Sequence, residues 1–205
     1  MTKDIVSEVY NMDCIAGMKE YPDKYFDLAI VDIPYGLGDK LTQGGTWANK
    51  YSKGDASWDI LPELEYYTEL FRVSKNQIIW GGNYAELPPT RCFLIWDKVA
   101  LMPTMADCEF AWTSFDRNAK IFRHPRNTSE KRIHITQKPI QLYRWILDNF
   151  AEKGMKILDT HLGSGSSRIA AYRNGFDFVG FEISKDYYEA QEKRFKTELM
   201  QPRLF

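Results

Sequence analysis

"ILDTHLGSGSS", residues 157–167, runs from a short apolar segment through a glycine-rich turn into small residues suited to the start of a helix. A strand, a glycine turn and a helix in that order let backbone N–H groups and a helix N-terminus come close to a ligand. The dinucleotide fingerprint asks for a third glycine three residues after Gly165, but that position is Arg168, which argues against an ordinary NAD site. Glu182 follows "FVGF" and lies 17 residues after Gly165. An acid at the tip of the next strand is placed to accept two ribose hydroxyls, so a nucleoside-containing ligand is expected. The plainer alternative is a tight structural turn beside a surface glutamate.

Working outward, six β-rich apolar runs read as strands: "FDLAIV" (26–31), "NQIIW" (76–80), "CFLIW" (92–96), "CEFAW" (108–112), "MKILD" (155–159) and "FDFVGF" (176–181). Several are apolar throughout, as strands covered on both faces should be. Helical patterns lie between them. "LPELEYYTELFRV" places Pro62 near a first turn, and "PIQLYRWILDNF" puts Ile140, Tyr143, Leu147 and Phe150 on one face. "SRIAAYRNG" stops at Gly175, and "KDYYEAQEKRFKTEL" is amphipathic and charged. The alternation predicts a three-layer α/β fold with a mostly parallel sheet.

The 205 residues, 44% hydrophobic and 15% aromatic, suit one substantial core and a single domain over 1–205. Lys and Arg number 27 against 28 Asp and Glu, so binding to nucleic acid through bulk charge is disfavoured and must come from a local patch. Three scattered cysteines, no CxxC and no signal-peptide pattern suggest a reduced, cytoplasmic protein. No apolar run is long enough to span a bilayer. The three histidines show no zinc-ligand spacing, and no metal is expected.

Two segments fall outside the strand and helix pattern. Residues 36–59 are rich in Gly, Lys, Asp and Trp without a period, and exceed an ordinary connection in length. Residues 117–138 hold seven Lys or Arg and one acid, Glu130, forming a local cationic stretch. A third feature is "VDIPYG" (31–36), which ends an apolar run on an acid, a rigid turn and an aromatic ring. At the carboxyl end of a strand in an open α/β sheet, that is where ligands bind.

"DIPY" (32–35) with "HLGSG" (161–165) resembles the signature pair of S-adenosylmethionine-dependent DNA amino-methyltransferases, an Asp/Asn/Ser-Pro-Pro-aromatic tetrapeptide and a Phe-x-Gly-x-Gly loop. "DIPY" comes first and "HITQKP" (134–139) lies just before the glycine loop, an order similar to the circularly permuted β group. "NMDCIAGMKEYPDKYFDLAIVD" resembles that group's N-terminus, so the resemblance covers nearly the whole chain. It implies a Rossmann-like class I methyltransferase fold. The implied S-adenosylmethionine-binding residues are Asp13, at the adenine, and Cys14, Asp32, Thr136, Gln137, Lys138, Asp159, His161, Gly163, Ser164, Gly165, Ser166 and Glu182. The implied catalytic residues are Asp32, Ile33, Pro34 and Tyr35. Ile33 and His161 depart from the pattern, standing where Pro and Phe are usual.

This chemistry suits an exocyclic amine, whose lone pair is delocalised into the ring. Asp32 would accept one N–H and the Ile33 carbonyl the other, while Tyr35 stacks on a flipped base. Within that family an Asp at the first signature position leans toward N6-adenine, so the resemblance implies that base, with N4-cytosine as the near variant. An RNA amino-methyltransferase and a noncatalytic nucleic-acid-binding subunit are further alternatives, and the setting could be viral, prophage-borne or a restriction system.

Too little chain separates residue 112 from residue 136 for a folded target-recognition module. Phosphate contacts of double-stranded DNA are therefore expected from Arg117, Lys120, Arg123, Arg126, Lys131 and Arg132. Lys40, Trp47 and Lys50 would close on the flipped nucleotide, and a homodimer could supply further contacts. "QPRLF", Gln201–Phe205, within an exposed tail over 200–205, resembles peptides that dock on the replication sliding clamp.

Overall fold

The computed structural model describes residues 5–38, 59–99, 106–125, 132–134 and 136–200. Within them eight strands form one sheet: β1 (Ser7–Tyr10), β2 (Phe26–Asp32), β3 (Ser74–Trp80), β4 (Phe93–Asp97), β5 (Cys108–Thr113), β6 (Lys120–Arg123), β7 (Lys156–Asp159) and β8 (Asp177–Phe181). Their order is β1-β8-β7-β2-β3-β5-β4-β6. Every pair is parallel except those made by β5, which runs antiparallel to β3 and β4.

The described helices are α1 (Cys14–Lys19), α2 (Leu64–Val73), α3 (Ile140–Phe150), α4 (Ser166–Asn174) and α5 (Lys185–Leu199). Alternate residues of each strand enter two separate cores. Leu28, Ile30, Ile78, Trp80, Leu94 and Phe178 pack with α3, α4 and Phe195 of α5. Ala29, Val31, Ile79, Leu158 and Val179 pack with Met18 of α1 and with Tyr66, Leu70 and Val73 of α2. This is the three-layer α/β arrangement expected, and the residues that recur along α3, Ile140, Tyr143, Leu147 and Phe150, are all buried.

All six apolar runs are strands, with ends displaced by at most two residues. The two strands not anticipated, β1 and β6, occupy the two edges. An edge strand pairs on one side only and needs little apolar sequence. Accordingly "SEVY" alternates in burial and "KIFR" buries only part of Phe122. Pro62 lies before α2, which starts at Leu64. Arg168, the residue in place of a third glycine, is buried; its guanidinium pairs with Glu192 and reaches Ser7 Oγ, tying α4 to α5 and to β1.

Candidate active site

β2 and β7 are neighbours in the sheet, yet the chain leaves β2 toward β3 on one side and β7 toward β8 on the other. That divergence opens a crevice above their carboxyl ends, the usual ligand site of such sheets. A cavity of about 670 Å³ lies there, lined by both of the sequence elements singled out above.

The glycine loop forms one half. Asp159, at the tip of β7, is 1% exposed and accepts hydrogen bonds from the His161 N–H (3.0 Å) and Ser167 Oγ (2.5 Å). Burial pushes its carboxyl up to about 7, against those two bonds. Asp159 therefore holds the loop from beneath and does not line the cavity. Gly165 starts α4 at φ +72°, a left-handed conformation that a β-carbon disfavours. Neither Gly165 nor Ser166 lines the cavity, and Ser166 Oγ instead meets Ser164 Oγ and the Arg194 guanidinium.

Asp13, Cys14, Thr136, Gln137, His161, Gly163, Ser164 and Glu182 do line it. Glu182 is 8% exposed and accepts from the backbone N–H groups of Gly163 and Ser184, each at 2.8 Å. Burial raises its carboxyl, opposed by these bonds. Asp13 caps α1 by accepting from the Ala16 N–H at 2.9 Å, which fixes its position at the cavity wall. His161 stands edge-on to Tyr66 with ring centroids 5.2 Å apart, and its Nδ1 lies 2.9 Å from Thr160 Oγ1. Burial holds His161 down to about 4, so it is a neutral ring near pH 7, as a wall replacing Phe should be.

The second half is built around Asp32. Lys138 Nζ, whose side chain is 1% exposed, lies 2.5 Å from Asp32 Oδ1, 2.9 Å from Glu109 Oε2 and 3.1 Å from Tyr35 Oη. Tyr35 Oη is also 3.0 Å from Asp32 Oδ1 and 3.1 Å from Glu109 Oε2. Lys98 Nζ completes the group, 2.9 Å from Glu109 Oε1. Burial raises the Asp32 carboxyl, with the Lys138 ammonium opposing. Burial also works to raise Glu109, but Lys138 and Lys98 outweigh it and hold it at about 2. Lys138 stays charged because its two carboxylates overcome the burial that would lower it. The "TQKP" lysine thus belongs with the acid of "DIPY".

The "DIPY" turn is held from outside the motif. Asp59, buried, accepts from four consecutive backbone N–H groups: Tyr35 (2.8 Å), Gly36 (3.2 Å), Leu37 (2.6 Å) and Gly38 (2.9 Å). The Tyr35 ring stacks on Tyr84, with centroids 5.0 Å apart and planes at 24°. It also covers Gly81 so closely that a β-carbon there would lie 2.2 Å from the ring. Sequence reading missed Asp59, Lys98, Glu109 and Tyr84. Only Glu109 left a trace, as an acid near the start of an apolar strand.

The cationic stretch is divided by the fold. β6 runs parallel to β4, so Arg123, beside Asp97, is at the same end of the sheet as Asp32, and it pairs with Asp97 at 3.3 Å. Lys120 begins the strand, and Arg117 lies at the far end, donating to the Asn149 carbonyl and packing on Phe115 and Phe150. Arg132 is half-buried. Lys40, Trp47, Lys50, Arg126, Lys131 and Gln201–Phe205 lie outside the described residues.

A family model described as "DNA methylase", of the N6 and N4 type, matches residues 79–193, more than half of the chain. YubD of Escherichia coli strain K12, named as a methylase, is 25% identical over 89% of this chain and 87% of its own length. Two solved structures share the fold. The M1.HpyAVI–SAM complex matches with a TM-score of 0.61 at 18% identity, over 92% of this chain and 98% of that one. The cytosine-N4-specific PvuII DNA methyltransferase matches with a TM-score of 0.67 at 12% identity, over 98% of this chain and 89% of that one.

Proposed function

We propose, from the premise that this chain belongs to the N6/N4 DNA methylase family, that it transfers a methyl group from S-adenosylmethionine to the exocyclic N6 of an adenine flipped out of double-stranded DNA. The observation that carries this reading is the single cavity shared by Asp32 and Glu182, with an acid for an amine at one end and an acid for a ribose at the other. The "DIPY" turn precedes the glycine loop along the chain, which supports assignment to the circularly permuted β group.

The residues present fit the cofactor. A volume of about 670 Å³ is within the range of small-molecule sites. Glu182 would hold the ribose hydroxyls, Asp13 and Cys14 the adenine end, and the Gly163–Ser164 backbone the adjoining polar groups. Bound S-adenosylmethionine supplies a methyl group already activated by positive sulfur. The protein's own work is orientation: Asp32 accepts one amine N–H and the Ile33 carbonyl the other, which draws the nitrogen toward tetrahedral geometry. Asp32 then receives the proton that the methylated nitrogen must lose. Pro34 keeps this turn rigid. A base that stacks on Tyr35 must displace or flank Tyr84, which already covers that ring.

The test is methyl transfer from isotopically labelled S-adenosylmethionine to unmethylated duplex DNA, with digestion and mass identification of the product nucleoside. N6-methyladenine that disappears with Asp32→Ala is the expected result. N4-methylcytosine would keep the mechanism and correct the base. Cofactor binding without product on DNA or RNA would refute the catalytic reading.

A further inference from the structure

Four ionisable side chains from four segments meet beside the cavity: Asp32 at the end of β2, Lys98 after β4, Glu109 in β5 and Lys138 before α3. An amine clamp requires only the first. A lysine ammonium has three N–H donors, and here three acceptors surround it: Asp32 Oδ1, Glu109 Oε2 and Tyr35 Oη. Among the described residues these contacts fall on Oδ1 of Asp32, as does the Tyr35 hydroxyl. Oδ2 is thereby left for an incoming N–H. The two carboxylates and two ammoniums also sum to zero charge.

We propose that Glu109 is a positioning residue for the transfer reaction: by sharing Lys138 and neutralising Lys98, it keeps Asp32 a strong acceptor for the substrate amine. The inference rests on the reading of Asp32 as that acceptor. Without the Glu109 carboxylate, Lys138 would turn its hydrogen bonding onto Asp32, and the unpaired Lys98 would leave the cluster with an excess positive charge. Both changes weaken Asp32 as an acceptor and oppose the positive charge that grows on the amine nitrogen as the new N–C bond forms and the S–C bond breaks.

Asp32 is faced by Lys138 and Tyr143 from the α3 segment, Glu109 from β5, Asp159 from β7 and Tyr35 from its own turn. Of these, the Glu109 charge pushes the Asp32 carboxyl upward and Lys138 pushes it downward. Removing the former has a definite sign: the acid limb of the activity profile moves to lower pH. A purely structural role would not move it.

The experiment measures kcat and the pH dependence of kcat/KM, on unmethylated duplex DNA with labelled S-adenosylmethionine, for the wild type, Glu109→Gln, Glu109→Asp and the double variant Lys98→Met with Glu109→Gln. Melting and cofactor binding serve as fold controls. For Glu109→Gln the expected outcome is a kcat loss of about tenfold or more, with the acid limb displaced to lower pH. Glu109→Asp, which keeps the charge on a shorter arm, should hold the limb in place, and the double variant, again neutral overall, should recover part of the displacement. An unchanged limb and unchanged kcat in a folded Glu109→Gln protein would overturn the proposal. So would a loss of activity explained wholly by lost fold or cofactor binding in both Glu109 variants. Asp32→Ala, which removes the acceptor, separates the two levels: if it remains active, the amine-acceptor reading itself fails. If it is inactive while Glu109→Gln behaves as wild type, only the role of Glu109 fails.

Discussion

Replacing Asp59 with Asn tests how the "DIPY" turn is held. The carboxylate accepts four backbone N–H groups, two on each oxygen. Asn keeps one oxygen and turns its NH2 toward donors it cannot satisfy, so two bonds are lost. Hydrogen bonds to a charged group are worth about 1.5–3 kcal/mol each, which puts the gross loss at about 3–6 kcal/mol. Gly36 is exposed and Leu37 and Gly38 are half-buried, so water can reach part of the turn and repair some of the loss. A net cost of about 2–3 kcal/mol follows. For a chain of this length that lowers the melting temperature by about 4–12 °C. The same turn carries the Ile33 carbonyl and the Tyr35 ring, so kcat should fall about tenfold or more through misplacement of the amine. Thermal denaturation and steady-state methyl transfer measure the two effects. Melting within about 1 °C of the wild type, with unchanged kcat, would refute the view that Asp59 supports the catalytic turn.

Three further outcomes are expected. Glu182→Gln should weaken S-adenosylmethionine binding by about 10- to 100-fold in calorimetry, because the amide places an NH2 where a carboxylate oxygen now accepts a backbone N–H. His161→Phe should make stability less sensitive to acid. His161 ordinarily titrates near 6.5 and is held down to about 4 in the fold, so the unfolded chain binds the extra proton first and stability is lost as pH falls from 6.5 toward 4. The removed penalty reaches about 3 kcal/mol at the acid end, read as the difference between the two denaturation curves across pH. Asp159 works in the opposite sense, since its raised carboxyl destabilises the fold as pH rises toward 7, and it contributes equally to both proteins. Gly81→Ala should cost both stability and kcat, because φ is +77° and the new β-carbon would lie 2.2 Å from the Tyr35 ring. A variant with normal melting and turnover would show that Tyr35 does not need its present position.

The strands buried on both faces were legible because burial on two sides demands unbroken apolar runs, and "LAIV" and "FVGF" supply them. β1 and β6 were not, since an edge strand such as "KIFR" reads as part of a basic loop. At the site, local order in the chain revealed the "DIPY" turn and the glycine loop, each of which acts through neighbours in sequence. What escaped acts across the fold. Asp59 reaches the turn from beyond a long connection, and Glu109 meets Lys138 only because β5 runs antiparallel and brings its first residues to the end where β2 finishes. Asp159, Gly165 and Ser166 show the converse: they belong to the loop motif, but support it from behind the cavity wall.

The charge balance around Asp32 bears on which amine the site accepts. A lone buried carboxylate would attract any cation, including an alkylammonium side chain, whose protonated nitrogen has no lone pair to methylate. Lys138, 2.5 Å from Asp32, already supplies that cation, and the Lys98–Glu109 pair leaves no negative charge over. A second ammonium entering the cavity would meet Lys138 without compensation and pay its own desolvation. A ring amine that is neutral near pH 7 incurs neither cost and can still donate to the remaining Asp32 oxygen. On the proposed reading of Asp32 as the amine acceptor, the cluster would select by charge before it selects by shape, in favour of the exocyclic amines of nucleobases. The aromatic pair of Tyr35 and Tyr84 at the same position adds a surface suited to a flat ring.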